Sequence, residues 1–380
     1  MPGKLMSLFV LALTVIGPSP LPGQGSRSGD EGPGVTIGVG RVGLAIGHVP
    51  RVDGIRLNFR DRHLQEVNGL NLTLWKPHED VGGTIRGFGL GVVGPAADRL
   101  QGLSAGLGAV LARERVQGIG LGGLAVVSQG RLQGVGLGGL AVVTEEGTEG
   151  ISLGGLANVS EGSLSGVGVG GLATVARGGI RGVGIGSLAV VSEGRLQGAA
   201  LGGLATVAQR GVEGVAVGGL AVVGEGGITG ISAGGLAVVS SSGDLRGAHV
   251  GGLAVVAGEG RAEGLNVGGL AVVGVEGVRG LNLAGLAVVS EEEIEGMSLA
   301  GYKIQAREVR WIAAAPWKVE ADGASGLSVA IWNEHRYASR GLSIGLVNRT
   351  RELHGVQVGL LNYAGNNDRF AWLPIVNAHF

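Results

Sequence analysis

The chain has 380 residues, including 81 glycines and only 13 aromatic residues, and it contains no cysteine. Its 29 basic and 30 acidic residues almost cancel, so no net field favours binding to nucleic acid or to an anionic membrane surface. Without cysteine, disulfides and thiolate metal sites are excluded. A hydrophobic content of 44% excludes the composition of a disordered chain.

Residues 1–25 predict a secretory signal peptide. Lys4 precedes an apolar stretch from Leu5 to Ile16, which prolines and small residues follow, and this order is typical of an export signal. Residues 26–34 are predicted to be a linker. No other stretch of 18 apolar residues is free of glycine, so no transmembrane helix is expected. We therefore expect the mature protein to leave the cytoplasm.

Residues 35–117 form a region of divergent β-repeats. Two segments, Gly54–Arg60 and Gly69–Leu74, alternate apolar and polar residues after a leading glycine. Alternation with a period of two over six or seven residues predicts β-strands.

Residues 118–290 contain eleven copies of a 16-residue, glycine-rich unit. One copy reads Gly-Val-Gly-Leu-Gly-Gly-Leu-Ala-Val-Val from Gly134 to Val143, and a short polar turn follows it. A fixed period of this length indicates a repeat architecture rather than several separate domains. Each copy begins at an anchor glycine, here position 0: Gly118, Gly134, Gly150, Gly166, Gly182, Gly198, Gly214, Gly230, Gly247, Gly264 and Gly280.

The unit has two different faces when it is treated as one strand. Positions 1, 3, 7 and 9 are apolar, with alanine at position 7 and valine at position 9 in every copy. Positions 2, 4 and 8 hold small or mildly polar residues, among them Asn158, Thr174 and Thr206. This pattern predicts that the odd positions face the apolar environment. The leucine at position 6 of every copy lies on the wrong face in this scheme and has no explanation from it.

Residues 291–380 form a C-terminal region of divergent β-repeats that ends at Phe380. An asparagine takes the place of the position-7 alanine in three of these units, as Asn333, Asn348 and Asn362. One strand for each unit, with the flanking segments, predicts roughly 22 strands. The last segment has apolar residues at alternate steps up to a terminal aromatic residue, which resembles the end of bacterial outer-membrane barrels.

Two all-β architectures fit a 16-residue unit. In an up-and-down meander closed as a barrel, a strand of about 11 residues tilted by about 45° crosses an apolar band of about 25 Å. In the alternative, a parallel β-solenoid, each unit is one coil that folds at the Gly-Gly pair. The barrel is the leading prediction because charge is confined to the turns. The solenoid explains better how leucine and valine reach a dry core.

Short motifs in the chain match known sites without the structural context that those sites need. Gly134–Gly139 matches the dinucleotide fingerprint, but no helix is predicted after it. Gly102–Gly106 and Gly230–Gly234 match the nucleophile elbow, but their serines occupy the small-residue position 2. The seven histidines show no metal-ligand spacing: His48, His63, His78, His249, His335, His354 and His379. We therefore predict no catalytic residue, no cofactor and no metal, and expect a protein that is not an enzyme.

Three further groups are candidates within the barrel hypothesis. Arg56, Arg60 and Arg62 would form a basic constriction in a pore. Asn71 and Asn348 begin Asn-x-Thr sequons, but both lie in predicted strands and are expected to be lumen or ladder polar groups. The tryptophans would lie in an interfacial girdle that contacts membrane lipid: Trp75, Trp311, Trp317, Trp332 and Trp372.

The segments Gly54–Arg62, Val67–Trp75 and Gly341–Phe380 together resemble a group of bacterial, glycine-rich surface-repeat proteins. The resemblance covers nearly the whole mature chain. It implies export and a place in the cell envelope, and it assigns no activity or functional residue. The sequence thus predicts a non-enzymatic outer-membrane or cell-surface protein, either a pore or a structural envelope protein. The alternative is a secreted solenoid that acts as an adhesin or spacer.

Overall fold

The computed structural model describes residues 34–62, 64–75 and 82–380. The predicted signal peptide lies outside these residues. Within them the chain is a parallel β-solenoid of about 19 turns. Successive units pair in parallel, as where Gly134 lies beside Gly118 and Gly150. The predicted barrel is therefore wrong, because an up-and-down barrel requires antiparallel neighbours, and the alternative solenoid is confirmed.

Each coil of the repeat contains two strands, so the described residues hold 34 strands and not the roughly 22 that one strand per unit predicted. A strand of seven or eight residues ends at position 4, a bend follows at positions 5 and 6, and a four-residue strand covers positions 7 to 10. In order, the strands are β1 Gly34–Val39, β2 Val42–Gly47, β3 Arg51–Asn58, β4 Glu66–Thr73, β5 Thr84–Gly91, β6 Ala96–Gly106, β7 Ala109–Gly122, β8 Ala125–Ser128, β9 Arg131–Gly138, β10 Ala141–Thr144, β11 Gly147–Gly154, β12 Ala157–Ser160, β13 Ser163–Gly170, β14 Ala173–Ala176, β15 Ile180–Gly186, β16 Ala189–Ser192, β17 Leu196–Gly202, β18 Ala205–Ala208, β19 Val212–Gly218, β20 Ala221–Gly224, β21 Ile228–Gly234, β22 Ala237–Ser240, β23 Leu245–Gly251, β24 Ala254–Ala257, β25 Arg261–Gly268, β26 Ala271–Gly274, β27 Gly277–Ala284, β28 Ala287–Ser290, β29 Glu293–Ala300, β30 Lys303–Ala314, β31 Lys318–Val329, β32 Trp332–Ile344, β33 Val347–Ala364 and β34 Trp372–His379.

The even positions other than position 6 face inward, as in the barrel prediction, but they meet a packed interior and not a lumen. The even positions point into the solenoid: Gly136 at position 2 and Val142 at position 8 are buried, as is Leu132, two residues before the anchor. The odd positions, which are strictly apolar, point outward and are only partly covered. The bend at positions 5 and 6 turns the leucine of position 6 outward as well, and Leu140 is 47% exposed. The interior is narrow, so a large side chain such as Leu132 or Leu164 packs there against small residues and valines.

Close backbone contacts between and within coils explain the glycine pattern. A Cβ on the anchor Gly134 would lie 2.2 Å from the carbonyl oxygen of Gly118, and φ there is +123°. At the bend, a Cβ on Gly138 would lie 2.0 Å from the oxygen of Ala141, and one on Gly139 would lie 1.9 Å from the oxygen of Gly123. Coils stacked at strand spacing leave no room for a side chain at these three places.

Two antiparallel strands close the ends of the parallel stack. At the first end β1 pairs antiparallel with β2, and at the last end β34 pairs antiparallel with β33. β34 carries Pro374, which has no backbone N–H to offer a further strand. Because exposed strand edges invite pairing with other chains, these two strands limit growth of the stack at both ends.

The coils near the last end depart from the repeat in two ways. Trp311 stands in the anchor row between Gly296 and Gly326, with a φ of +85°. In the next coil the bend is one residue shorter, and Asn333 therefore lies beside Val319, at the inward position 8. The asparagines of this region thus do not replace the outward alanine, as the sequence indicated. They replace the inward valine.

Candidate interaction surfaces

The arginines that were predicted to line a pore lie at the first coils of the solenoid, where there is no channel. Arg56 and Asp61 are both fully buried, and Arg56 Nη1 lies 2.5 Å from Asp61 Oδ1. Asn58 Nδ2 donates to Asp61 Oδ1 over 2.6 Å, and Thr73 Oγ1 donates to Asp61 Oδ2 over 2.6 Å. Arg56 Nη1 also donates to Asn71 Oδ1 over 3.0 Å.

This buried cluster has a structural explanation. A buried ion pair is tolerated when further hydrogen bonds satisfy its oxygens, and Asp61 receives them from three side chains besides Arg56. Asp61 was not identified from the sequence, because it lies in the bend after β3 and only the stacking of coils brings it under Asn71. The cluster fills the interior of the first coils, which disproves the pore constriction at Arg56.

The histidines are dispersed along the solenoid, and His63 and His78 lie outside the described residues. His249 and His335 are buried inside it, and desolvation lowers the pKa of each to about 4. His354 and His379 meet edge-to-face near the last end, with ring centroids 6.4 Å apart. Among the described residues, no three or more His, Cys, Asp or Glu side chains come together in a way that could hold a metal ion.

One nucleophile-elbow match acquires a histidine partner. His249 lies one coil after Ser232, and its Nδ1 is 2.7 Å from the Ser232 Oγ. Both side chains are buried in the interior, with exposures of 0% and 1%. A substrate has no path to this pair, and Asn266, the next residue in the row, carries no charge to orient the histidine. The pair belongs to a row of interior polar residues.

That interior row continues through several coils. Asn266 Nδ2 donates to Asn282 Oδ1 over 2.9 Å, and Asn282 Nδ2 donates to Ser298 Oγ over 3.2 Å. The sequon residues Asn71 and Asn348 are also fully buried, which places them in the interior as polar ladder groups. The sequence predicted a lumen or ladder position for Asn71 and Asn348 but did not identify the row from Ser232 to Ser298.

The outer surface of the repeat region divides into a charged side and an apolar side. Charged residues cluster at the turn between coils and pair across coils, as in Arg195 with Glu213 at 2.5 Å and Arg177 with Glu161 at 3.1 Å. Exposed pairs of this kind contribute little stability individually. Their opposite charges lie side by side, so this side of the solenoid carries no strong net field.

The apolar side is continuous along the repeat. We call the row of position-6 leucines the corner ridge, and each of its members is between 37% and 54% exposed: Leu124, Leu140, Leu156, Leu172, Leu188, Leu204, Leu220, Leu236, Leu253, Leu270 and Leu286. The ridge continues into the last coils as the aromatic residues Tyr302 and Trp317. Trp332 lies beside the ridge, at the position that pairs with Lys318. Tyr302 and Trp317 stack with their ring centroids 6.2 Å apart.

A long apolar groove lies beside the ridge in the first half of the solenoid. Its volume is about 1250 Å³. One wall is a row of position-3 residues such as Leu121 and Leu137, and the floor is formed by bend glycines such as Gly122 and Gly138. In the earliest coils Phe59 and Leu74 also line it. The groove contains no cluster of charged or catalytic groups, so it is suited to an apolar partner rather than to chemistry.

The predicted tryptophan girdle is not formed as one band among the described residues. Trp75 stacks on Phe59 at the first end, whereas Trp317 stacks on Tyr302 in the corner ridge near the last end. Trp332 lies beside the ridge, under the ammonium group of Lys318. Trp372 packs against Tyr363 on the last two strands, with centroids 4.9 Å apart. Within the described residues, no helix has the length and apolar character needed to span a membrane.

No protein-family model, no curated protein and no solved structure matches this chain. The bacterial surface-repeat resemblance therefore stays a prediction.

Proposed function

We propose that this protein is an exported, non-enzymatic β-solenoid that acts as a spacer or adhesin at the cell surface. The observation that carries the proposal is the unbroken parallel stack of about 19 turns, which at the spacing of parallel strands corresponds to a rod of about 90 Å. A rigid rod with binding surfaces on its sides and capped ends suits a protein that holds other components at a fixed distance.

The filled interior argues for the solenoid function over a pore. Leu132, Val142 and Leu164 are fully buried, and a buried apolar cluster continues along the coils from Leu164 to Ala330. Such a core leaves no aqueous path for a solute, so the proposal does not include transport.

The predicted signal peptide supports export, and two experiments test the proposal together. A tagged chain expressed in a bacterial host should reach the periplasm, the surface or the medium, and deletion of residues 1–25 should retain it in the cytoplasm. The purified protein should stay in solution without detergent and give a rod-like profile in small-angle scattering, about 90 Å long. Retention of the full chain in the cytoplasm, or a globular profile, would contradict the proposal.

A further inference from the structure

The exposed apolar surface of the corner ridge is too large for an isolated soluble molecule. A leucine that is 45% exposed leaves on the order of 70 Å² accessible, so the eleven ridge leucines present on the order of 800 Å². The position-1 and position-3 residues of the adjoining wall, such as Ile151 at 42% and Leu201 at 49% exposed, add to it. Monomeric proteins rarely expose more than about 300–600 Å² in one patch, whereas one side of a standard stable interface buries about 800 Å².

The surface has a shape that complements itself. The corner ridge projects, and the neighbouring strip of bend glycines is recessed, so the ridge of one molecule fits the glycine strip of another. The groove is deepest over the first coils, where it runs from Ile46 to Val169. The ridge is bulkiest over the last coils, where Tyr302 and Trp317 replace leucine and are 50% and 46% exposed.

The positions of these two features fix the orientation. Gly198 is the middle anchor of the solenoid, since nine anchor positions from Gly54 to Gly182 precede it and nine from Gly214 to Gly341 follow it. Rotation by 180° about an axis through this coil places the aromatic end of one ridge over the first-half groove of the other molecule. A two-fold interface of this type is closed and self-complementary.

Charge argues against a lipid surface as the occupant. Membrane-surface proteins of this shape add basic residues at the edges of the apolar face, whereas here the basic residues on the charged side are paired with glutamates, as in Arg131 with Glu149 at 3.3 Å and Arg195 with Glu213 at 2.5 Å. The balanced charge of the chain gives no attraction to anionic headgroups either.

We propose that the apolar side binds a second copy of this chain, antiparallel, with the aromatic end of each corner ridge in the first-half groove of its partner. Each molecule then contributes the aromatic end of its ridge and its groove. Between these two contacts, the glycine strip of each molecule faces the leucine row of its partner. The dimer has the length of one solenoid and twice its mass.

The first test is the molar mass in solution, measured by light scattering after size exclusion. The wild-type chain is expected to be a dimer at micromolar concentration. The variant Leu140→Glu, Leu172→Glu, Leu204→Glu places three charges on alternate coils of the ridge and is expected to be a monomer. The control variant Gln129→Glu, Ser165→Glu, Thr229→Glu places three charges on the charged side and should remain a dimer. Circular dichroism of both variants checks that the solenoid is folded.

The second test uses the absence of cysteine from the chain. A single Leu204→Cys in the middle coil is expected to give a dimer linked by a short bis-maleimide, because the two copies of this residue lie side by side across the two-fold axis, each over its partner's glycine strip. Leu124→Cys and Leu286→Cys are each expected to remain unlinked alone and to link when the two variants are mixed. Thr229→Cys on the charged side is the control and should stay unlinked.

Four results would overturn the proposal. A wild-type chain that is monomeric at tens of micromolar would do so, as would a dimer that survives the ridge glutamates in a folded variant. Linkage of Leu124→Cys to itself would indicate a parallel pair. Sedimentation of a monomeric wild-type chain with phosphatidylcholine vesicles would assign the apolar side to lipid instead.

Discussion

At the scale of single residues, the glycines of this chain divide into those required by the backbone and those that only keep the interior narrow. The anchor Gly182 has a φ of +121°, and a Cβ there would lie 2.2 Å from the Gly166 carbonyl oxygen. Gly184 is different: a Cβ there would meet only side-chain methyl groups, at 3.2 Å. The equivalent residues of the next two coils are alanines, Ala200 and Ala216.

This difference gives a matched pair of variants. Gly182→Ala is expected to lower the free energy of unfolding by about 3 kcal/mol, because it adds a strained φ and a clash with backbone that cannot move aside. Gly184→Ala should change it by less than about 1 kcal/mol. Denaturant unfolding of both variants checks the prediction. Equal effects would show that the anchor row does not depend on its glycines.

The buried histidines make stability depend on pH. His249 and His335 have folded-state pKa values near 4, against an ordinary value of 6.5. Below pH 6.5 the unfolded chain therefore binds protons at these two histidines that the folded chain does not bind. The free energy of unfolding falls as the pH drops from 6.5 towards 4. At pH 5 each histidine is expected to lower the free energy of unfolding by about 2 kcal/mol relative to its value at pH 7.

Substitutions taken from neighbouring coils isolate this effect from that of the carboxylates. His249→Asn copies Asn266, and His335→Thr copies Thr350, the register partners in the next coil. Urea unfolding at pH 7 and pH 5 gives the loss of unfolding free energy between the two pH values for each protein. This loss should be about 4 kcal/mol smaller for the double variant than for the wild type. An identical pH dependence of the two proteins would show that the histidines titrate normally.

At the scale of elements, an asparagine ladder joins the last coils. Asn333 Nδ2 donates to Asn348 Oδ1, and Asn348 Nδ2 donates to Asn362 Oδ1, both over 2.7 Å. Asn348 Nδ2 also donates to the Val358 carbonyl over 3.0 Å. The ladder links strands β32 and β33 through the packed interior, where a polar group that loses its partner is costly.

Removing the middle of the ladder should therefore be costly. Asn348→Ala is expected to lower the free energy of unfolding by about 2 kcal/mol, since it leaves the buried Asn362 Oδ1 without its donor, whereas Asn333 Nδ2 keeps the Ile344 carbonyl as an acceptor. The control is Ser152→Gly with Asn158→Val. It removes both partners of the bond from Asn158 Nδ2 to Ser152 Oγ and copies Gly136 and Val142, the register partners in the adjacent coil. We expect the control to change the free energy of unfolding by less than about 1 kcal/mol. If the control lowers the free energy of unfolding as much as Asn348→Ala does, loss of the ladder is not the cause of the destabilisation.

The elements also show how far the sequence could be interpreted. The 16-residue period, the β character and the turns between units were predictable from alternation and glycine spacing, but the division of each unit into two strands was not part of the leading prediction. What each face meets was not predictable, because alternation defines two faces without saying whether the inner one lines a lumen or a packed core. The pairing of Ser232 with His249 and of Arg56 with Asp61 depends on the stacking direction, which a single unit does not encode. The leucine of position 6 is explained only by the bend that turns it outward.

At the scale of the whole molecule, the strands at the two ends determine whether another molecule can extend the stack of coils. Strand β33 would present a free edge from Gly355 to Tyr363 if β34 were absent, while β1 would still cover the other end. A parallel stack with an open edge is a template for another chain, and two such ends can pair with each other. The antiparallel reversal and Pro374 prevent this in the intact protein.

Deletion of residues 366–380 is therefore expected to join molecules end to end. Particles of about 90 Å should become at least twice as long in electron micrographs and in small-angle scattering. The matched control is the same deletion with Val356→Lys and Val358→Lys, which places like charges across the exposed edge and should restore the short particle. Since these lysines lie on the outward positions of β33, they leave the interior unchanged. A truncated chain that stays short without the lysines would show that the last coil protects its own edge, and that β34 serves another purpose.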